Sequence, residues 1–349
     1  MNVYYINGRY DGCFYVRCYL PLFHNLWDGN KTSMYTEQVS SEKAFQGAMS
    51  ADIVVFHRPD QRQKVEVIPL LQQYGKKVVV DNDDTYQPDS GTPAQMLYGK
   101  KELLEKVNAN LMEAVASADL VTTTTEYLAE EYREYNDNVI VLPNCVDPDD
   151  WDKPIRNDTN KIRIGLVGSV TNTRDYEVIG DLLKELSDSP DYQLVVFGLP
   201  PDNEKSKMMN DIYKTEIAFW KSLDIEWQPF VEAHQYQETL RQLKLDIALI
   251  PREECYFNKC KSNLKFLEMS MLEIPCIASG WKDNPYNHDK KHISLCNTER
   301  GWRSAIKKLS DGKVRRDRGA NAREYVMRKY NIKKKKKLWV KAYEQLLNN

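Results

Sequence analysis

The sequence predicts two α/β domains in tandem, each built on a doubly wound parallel sheet. Short β-branched runs recur along the chain and are nearly all apolar, which is the pattern of strands buried on both faces of a parallel sheet. A longer stretch of helical period follows most of them, and this alternation is typical of α/β layers. At roughly 150 residues per domain, a chain of 349 residues has room for two domains, each with its own core.

The apolar runs fall into two series. The members of the first series are Val3–Ile6, Ile53–Phe56, Val78–Val80, Leu120–Thr123 and Val139–Leu142. The members of the second series are Ile162–Val167, Gln193–Phe197, Asp246–Ile250 and Pro275–Ala278. Among the intervening segments, Ala94–Ser117 predicts a helix with one apolar stripe. The residues of that stripe are Leu103, Leu104, Val107, Leu111 and Val115.

The interval Pro143–Lys161 separates the two series. It is polar, contains three prolines and has no sustained period, so we interpret it as a linker. We predict a first domain over residues 1–150, a second over 151–330, and a basic C-terminal helix over 331–349 that crosses back to the first domain. Ligands of open parallel sheets bind beyond the carboxyl ends of the strands, so two domains of this kind are expected to face a shared cleft.

The composition is that of an ordinary globular protein. The formal net charge is −2 and 42% of the residues are apolar, which excludes collagen-like and largely disordered classes. No apolar run approaches the ~20 residues that a membrane span needs, and the first residues carry no basic leader followed by an apolar stretch. The seven scattered cysteines suit reduced thiols better than a disulfide framework. We therefore expect a cytoplasmic protein without a transmembrane segment.

The charge is unevenly distributed. Residues 301–349 carry 16 Lys/Arg and four Asp/Glu, a local net charge of +12, so the rest of the chain carries −14. The tail includes five consecutive lysines, 333–337, beside Leu338, Trp339 and Tyr343. Such a strip could contact a polyanion such as DNA or an anionic membrane, with salt-dependent affinity. It could equally be a solvated helix that balances the acidic remainder.

The strongest local signal is the segment Asn258–Ser270, NKCKSNLKFLEMS. Ser262 or Asn263 is a suitable N-cap for a helix. Lys261 and Lys265 are then expected at the helix N-terminus, where the macrodipole disfavours cations. An anion bound there reverses that penalty, because amide N–H groups and two ammonium groups all point at it.

Glu268 lies one turn deeper in the same segment. At about 100° per residue it projects within a narrow arc together with Lys261 and Lys265. Its carboxylate could accept hydrogen bonds from a diol such as ribose. The alternative is a solvated basic helix start, in which Lys265 and Glu268 form a surface i,i+3 pair of small energy. Local features alone favour neither interpretation.

A glycine turn ends the predicted strand Ile162–Val167. Gly168 and Ser169 follow this strand, and a glycine there lets the backbone approach a phosphate closely. Arg174 could supply a planar guanidinium to a diphosphate. The run is not a GxGxxG fingerprint, so a dinucleotide cofactor is disfavoured. Taken alone, a Gly-Ser turn is usually only a turn.

Acidic residues stand at the carboxyl end of the predicted strand Val78–Val80. Asp81, Asp83 and Asp84 could hold a divalent metal, orient a sugar hydroxyl or act as a base. They could equally form a solvated strand end. His57 also follows a buried strand, although a single histidine is more often structural than catalytic.

The first predicted strand–helix turn runs from Gly8 to Arg17 and includes Gly12. It faces the same cleft in the predicted architecture. Zinc is disfavoured: Cys13/Cys18 and Cys255/Cys260 share a four-residue gap, but a structural zinc site needs four ligands in place. We therefore expect no metal site.

Taken together, these segments resemble the donor domain of GT-B glycosyltransferases, specifically the retaining family 4 group and its glycosyl-transferase-1 domain. The matching pieces, in order, are IRIGLVGSVTNTRD, YQLVVFGLPP, WQPFVEAHQYQETLRQLKLDIALIP and NKCKSNLKFLEMSMLEIPCIAS. ADLVTTTTEYLAEEY and VIVLPNCVDPDDW resemble the last elements of the family's N-terminal domain and its linker. The resemblance is strongest over residues 118–280 and implies a GT-B fold of two Rossmann-like domains.

The resemblance implies retaining transfer of a hexose from a nucleotide sugar to an acceptor hydroxyl, with UDP-glucose favoured weakly as donor. The donor-binding residues that it implies are Gly168, Ser169, Arg174, Lys261, Ser262, Asn263, Lys265 and Glu268. The glycine turn would lie along the diphosphate and the cations would neutralise it. The glutamate matches the second one of the family's E-x7-E motif, which holds the ribose. GT-B enzymes do not generally need a bound metal, so no cofactor is expected to be required.

The chain departs from the family at two functional positions. Cys260 replaces the first glutamate of the motif, which leaves the donor sugar open. The run beginning at Asp81 replaces the histidine of the family's N-terminal domain, so Asp81 or Asp83 would line the reacting sugar. The catalytic candidates are Asp81, Asp83, His57, Arg174 and Lys265. The acceptor-side candidates are Gly12, Arg17 and Asp84.

The sequence leaves the acceptor open between a glycan and a hydroxymethylated base in DNA. Because the chain departs from the family at functional positions, a catalytically weak nucleotide-sugar-binding pseudoenzyme on the same scaffold is the alternative function. A two-lobed binder of the periplasmic type shares the predicted architecture, but it would carry a signal sequence. The oligomeric state is not predicted.

Overall fold

The chain divides into two compact units. The structure, a computed structural model, describes residues 1–6, 11–25, 31–35, 41–91, 101–168, 172–198 and 214–348, and Ser169 lies outside these ranges. The first unit comprises Met1–Asp147, Lys259–Ser262 and Tyr330–Asn349; the second comprises Pro148–Asn258 and Asn263–Lys329. These divisions lie close to the predicted boundaries at 150/151 and 330/331. The sequence did not predict that the short segment 259–262 groups with the first unit.

The first unit is built on a six-stranded parallel sheet. Its strands are Asn2–Ile6 (β1), Lys31–Tyr35 (β2), Ile53–His57 (β3), Lys77–Asp81 (β4), Leu120–Thr123 (β5) and Val139–Val141 (β6). The spatial order is β2-β1-β3-β4-β5-β6. The central strands β3, β4 and β5 are buried along nearly all their length, as their continuous apolar runs predict. The register pairs His57 with Asp81 and Asp81 with Thr122, so the polar ends of three strands lie side by side.

Helices connect these strands. They are Gly12–Phe14 (α1), Leu20–Asn25 (α2), Ser41–Ser50 (α3), Arg62–Gln73 (α4), Lys101–Ser117 (α5) and Glu126–Arg133 (α6), with a π-helical turn at Tyr15–Tyr19 between α1 and α2. The predicted helix Ala94–Ser117 is described from Lys101 onward. The predicted stripe is buried except at Leu103, which lies at the edge of the stripe and is 44% exposed.

The second unit carries another six-stranded parallel sheet. Its strands are Ile162–Val167 (β7), Tyr192–Phe197 (β8), Ile225–Gln228 (β9), Ile247–Ile250 (β10), Cys276–Ser279 (β11) and Ser294–Cys296 (β12), in the order β12-β11-β10-β7-β8-β9. The helices of this part of the chain are Thr173–Glu177 (α7), Gly180–Asp188 (α8), Lys214–Lys221 (α9), Tyr236–Gln242 (α10), Tyr256–Cys260 (α11), Leu264–Met271 (α12), Glu299–Ser310 (α13) and Gly312–Lys329 (α14).

The sequence did not predict three of the described strands, β2, β9 and β12. All three are at sheet edges. An edge strand pairs on one side only and needs no continuous apolar run, so segments such as IEWQ and SLC carry little of the signal that identifies a central strand.

The basic tail forms two helices, Ile332–Lys335 (α15) and Lys337–Asn348 (α16). Both belong to the first unit, and Val146 forms an isolated parallel bridge with Asn331. Trp339 and Tyr343 are buried in the core that β1, β3 and β4 contribute to. The apolar residues of the tail therefore pack into the first unit. Across the described ranges, no helix combines the length and apolarity that crossing a bilayer requires.

We predict that Trp339→Ala destabilises the first unit. Trp339 is 2% exposed, and truncating a buried aromatic residue of this size costs about 3–5 kcal/mol. The measurement is the urea dependence of far-ultraviolet circular dichroism. Leu338→Ala is the matched control, because the neighbouring Leu338 is 39% exposed. Equal unfolding midpoints for the two variants would contradict the packing of α16.

Candidate functional site

A buried ion pair organises the carboxyl edge of the first sheet. Arg17 Nε donates to Asp81 Oδ1 at 3.0 Å and Arg17 Nη2 donates to Oδ2 at 2.6 Å, while Thr122 Oγ1 donates to Oδ2 at 2.6 Å. Arg17 Nη1 also donates to the carbonyl oxygen of Leu142 at 2.6 Å. Burial alone would lower the pKa of Arg17, but the Asp81 carboxylate raises it above its ordinary value. This pair ties the π-helical turn to the ends of β4, β5 and β6.

A second arginine holds the two remaining carboxylates of the run. Arg58 Nε donates to Asp83 Oδ1 at 2.7 Å, and Arg58 Nη2 donates to Asp84 Oδ2 at 2.9 Å. Arg58 has φ 51°, the left-handed region that non-glycine residues adopt at a cost of about 1 kcal/mol or more. The sequence analysis did not select Arg58, although its position directly after β3 and beside His57 was a usable signal.

His57 lies beside Asp83. The side chain of His57 is buried and its Nε2 is 3.5 Å from Asp83 Oδ1. Burial would raise the pKa of Asp83, but Arg58 and then His57 hold it well below the ordinary value. The carboxylate is therefore ionised at neutral pH. The acidic run is not a solvated strand end, because each of its three carboxylates accepts from an arginine.

The segment Lys259–Ser262 is held within the first unit by three contacts. The ammonium of Lys261 pairs with Asp84, the side-chain amide of Asn144 donates to Ser262 Oγ at 2.8 Å, and Thr125 Oγ1 donates to the carbonyl oxygen of Cys260 at 2.8 Å. Asp84 thus has two cationic partners. The predicted acceptor-side residue Asp84 and the predicted donor-binding residue Lys261 are brought into direct contact.

The expectation that Lys261 shares a helix face with Lys265 and Glu268 is wrong. The N-cap of α12 is Asn263, so Lys261 precedes the helix. Lys261 and Ser262 form a short non-helical connection between α11 and α12. Of the two predicted lysines, Lys265 alone lies in the first turn of α12.

At the carboxyl edge of the second sheet, Gly168 and Gly198, which directly follow β7 and β8, lie close together. The Gly168 amide follows β7 and donates to the carbonyl oxygen of Phe197 at 3.0 Å. Gly198 has φ 89°, and a Cβ there would lie 2.6 Å from the Gly168 carbonyl oxygen. A Cβ on Gly168 would lie 2.6 Å from Tyr176 Oη. Gly198 is therefore required for the close approach of two backbone segments, whereas a side chain at Gly168 would collide with the Tyr176 and Asn172 side chains. The Gly168 amide is already used inside the sheet.

Helix α12 begins at the same edge, because it runs into β11 from the opposite direction. The Asn263 side chain does not cap the helix; it donates to Asp289 Oδ2 at 2.6 Å. One turn into the helix, Glu268 Oε2 accepts from Tyr236 Oη at 2.9 Å. Burial raises the pKa of Glu268, while Lys265 and the Tyr236 hydroxyl act in the opposite direction. Lys265 and Glu268 therefore interact electrostatically on the first turns of α12.

Arg174 and its neighbour Asp175 have different surroundings. The Arg174 side chain is 50% exposed, and its Nη2 donates to Glu253 Oε1 at 3.2 Å. Asp175 is buried and accepts from Arg252 Nη1 at 2.6 Å and from Asn258 Nδ2 at 2.7 Å. The sequence pointed to Arg174, which faces solvent, and not to Asp175. The buried Asp175 carboxylate anchors the loop after β10.

Gly12 begins α1 at the edge of the first sheet. Asp11 caps this helix by accepting from the Phe14 amide at 2.9 Å. A Cβ on Gly12 would meet nothing within 4 Å, so sterics do not require glycine there. Among the described residues, no three His, Cys, Asp or Glu side chains converge as metal ligands.

We predict that Arg58→Met is less stable than the wild type at neutral pH and that this deficit narrows as the pH falls below the unfolded-state pKa of Asp83. The depressed folded-state pKa of Asp83 contributes stability above its unfolded-state pKa, and this is lost as the pH falls through the folded-state pKa. Removing the guanidinium raises the folded-state pKa of Asp83, so the variant lacks this contribution and has less stability to lose on acidification. It also costs about 3 kcal/mol at neutral pH, because buried carboxylates lose their counter-charge.

The check is the urea midpoint of each protein between pH 7 and about pH 3, because the contribution of Asp83 is lost below its unfolded-state pKa. Arg62→Met is the control, because Arg62 pairs only with Glu66 and Glu113 on the exposed surface. If the Arg58→Met profile ran parallel to that of the control, Arg58 would not hold Asp83 ionised.

Comparison with known structures shows the fold. Anabaena Alr3699/HepE, solved with UDP and glucose, matches with a TM-score of 0.66 at 10% identity over 99% of both chains. An alpha-glucosyltransferase solved with UDP and a 13-mer DNA containing an HMU base matches with a TM-score of 0.66 at 12% identity over 100% of this chain and 99% of that chain. A glycosyltransferase from Rickettsia africae matches with a TM-score of 0.64 at 11% identity, over 100% of this chain and 99% of that one.

The sequence matches no family model and no curated protein. At such low identity the likeness shows the architecture alone. It confirms the predicted GT-B fold of two parallel-sheet α/β domains. Membership of family 4 stays a prediction.

Proposed function

We propose that this chain is a retaining hexosyltransferase that uses a nucleotide sugar, with UDP-glucose as the first candidate donor. The observation that carries the proposal is the placement of Lys265 and Glu268 on the first turns of α12, at the sheet edge where the turn at Gly168 also lies. A cation and a carboxylate at such an edge suit a diphosphate and a ribose diol. Neighbours solved with UDP or with UDP-glucose support it.

The main electrostatic task in this reaction is to stabilise the departing diphosphate. Lys265, the amides that begin α12 and the exposed Arg174 supply positive charge for it. Gly168 lets the backbone approach the diphosphate closely. It does not supply a hydrogen-bond donor, because its amide already donates to the carbonyl oxygen of Phe197. With these cations available, we propose that a divalent metal is not essential.

On the sugar side, Asp83 is a better candidate than Asp81. Asp81 accepts three hydrogen bonds from Arg17 and Thr122 and is 3% exposed. Asp83 is ionised beside His57, which suits an anion that faces developing oxocarbenium charge. In the retaining chemistry of the proposed family, the leaving phosphate deprotonates the acceptor on the same face, so no separate base is assigned.

For the acceptor, we propose a hydroxyl of a glycan or of a hydroxymethylated base in DNA. The alpha-glucosyltransferase neighbour solved with DNA containing an HMU base supports the second class. The lysine run at 333–337 begins in α15, where Lys333 lies 3.7 Å from Asp147. A run of this kind would give DNA affinity that falls as salt is added.

We predict that Lys265→Ala lowers kcat/KM by at least ~100-fold, the scale of losing one transition-state contact. The assay is release of UDP from UDP-glucose, with and without acceptor. Lys307→Ala, an exposed lysine on α13, is the matched control. Near-wild-type turnover of Lys265→Ala would remove Lys265 from the site. UDP binding without detectable turnover in the wild type would favour the pseudoenzyme.

We also predict that a matching nucleotide sugar raises the Tm of the protein. A ligand that binds only the native state stabilises it by mass action, by about 2.7 kcal/mol at a hundredfold excess over Kd. A panel of nucleotide sugars is tested with and without EDTA, and the shift is expected to be largest for UDP-glucose and unchanged by the chelator. A shift abolished by EDTA would contradict metal-independent binding, and a panel without any shift would contradict the proposed function.

A further inference from the structure

Tyr236, the first residue of α10, is fixed at both ends of its side chain. Its ring stacks on Phe197, with 5.5 Å between ring centroids and 21° between ring planes. Its hydroxyl donates to Glu268 Oε2 at 2.9 Å. Phe197 ends β8 directly before Gly198, so the ring of Tyr236 rests on a rigid strand of the second sheet.

This contact restrains the Glu268 carboxylate. A glutamate side chain on a helix has several rotamers, and ordering a long side chain costs about 1–2 kcal/mol. A hydroxyl held by a stacked ring can fix one carboxylate oxygen before any ligand arrives. The other oxygen, Oε1, has two lone-pair sites, which is the number that two neighbouring hydroxyls of a ribose require.

We propose that Tyr236 is a positioning residue for the donor: by bonding Glu268 Oε2 it orients Oε1 toward both ribose hydroxyls. The assignment rests on the proposed function, since it takes Glu268 as the residue that binds the ribose. Tyr236 itself does not contact the nucleotide in this arrangement. Its effect on binding is transmitted through Glu268, and it is therefore specific to the ribose hydroxyls.

Tyr236→Phe tests the assignment, because it removes the hydroxyl and keeps the ring on Phe197. The Kd values of UDP and of 2′-deoxy-UDP are measured by isothermal titration calorimetry. The wild type is expected to prefer UDP by about tenfold, the scale of one hydrogen bond to a charged group. In Tyr236→Phe this preference is expected to fall to about twofold, mostly through weaker binding of UDP.

Two further variants separate a positioning role from a structural one. Tyr192→Phe is the matched control, because Tyr192 is in the same unit and its hydroxyl bonds Ser310 Oγ at 3.1 Å; its preference for UDP is expected to equal that of the wild type. In a Glu268→Ala background, Tyr236→Phe is expected to change the preference no further, since the two residues act as one unit.

The results distinguish failure of the positioning role of Tyr236 from failure of the proposed function. A Tyr236→Phe variant that binds both nucleotides less tightly by the same factor would overturn the positioning role, because a structural effect leaves the ratio of the two Kd values unchanged. The same conclusion follows if the substitution still alters that ratio in the Glu268→Ala background. A wild type that binds neither nucleotide would instead overturn the proposed function itself, and with it the role of Tyr236.

Discussion

Neutralisation of three buried or half-buried carboxylates is the constraint on which the first unit depends. A charge removed from water must be paired, since an isolated one costs several kcal/mol. Asp81 takes Arg17 from the π-helical turn, whereas Asp83 and Asp84 share Arg58 from the end of β3. These pairings draw together segments that are far apart in sequence. They also leave Asp83 ionised and fixed.

The carboxyl edge of the second sheet is organised by glycines and by the start of α12. Gly198 lets two backbone segments approach closely, and the cation of Lys265 stands in the first turn of a helix whose cap residue is bonded elsewhere. Glu268 is half-buried and held by a stacked tyrosine. The proposed recognition of a nucleoside diphosphate needs positive charge, a backbone that the phosphates can approach closely and a carboxylate with a fixed orientation.

The sequence predicted nine of the twelve described strands and the GT-B fold, because continuous apolar runs and the order of motifs can be recognised in the sequence alone. It did not predict β2, β9 and β12, which lie at sheet edges and pair on one side only. The sequence also did not predict ion pairs between residues that are far apart along the chain. Lys261 meets Asp84 and Arg58 meets both Asp83 and Asp84 only after folding, and the helical arc assigned to Lys261 was wrong for that reason.

We propose that the carboxyl edge of the second sheet near α12 binds a nucleoside diphosphate. The most direct measurement is a crystal structure of the protein with UDP. We expect diphosphate oxygens within hydrogen-bonding distance of the Lys265 ammonium and both ribose hydroxyls bonded to Glu268 Oε1. UDP bound at any other surface, with Lys265 and Glu268 left in contact with solvent, would contradict it.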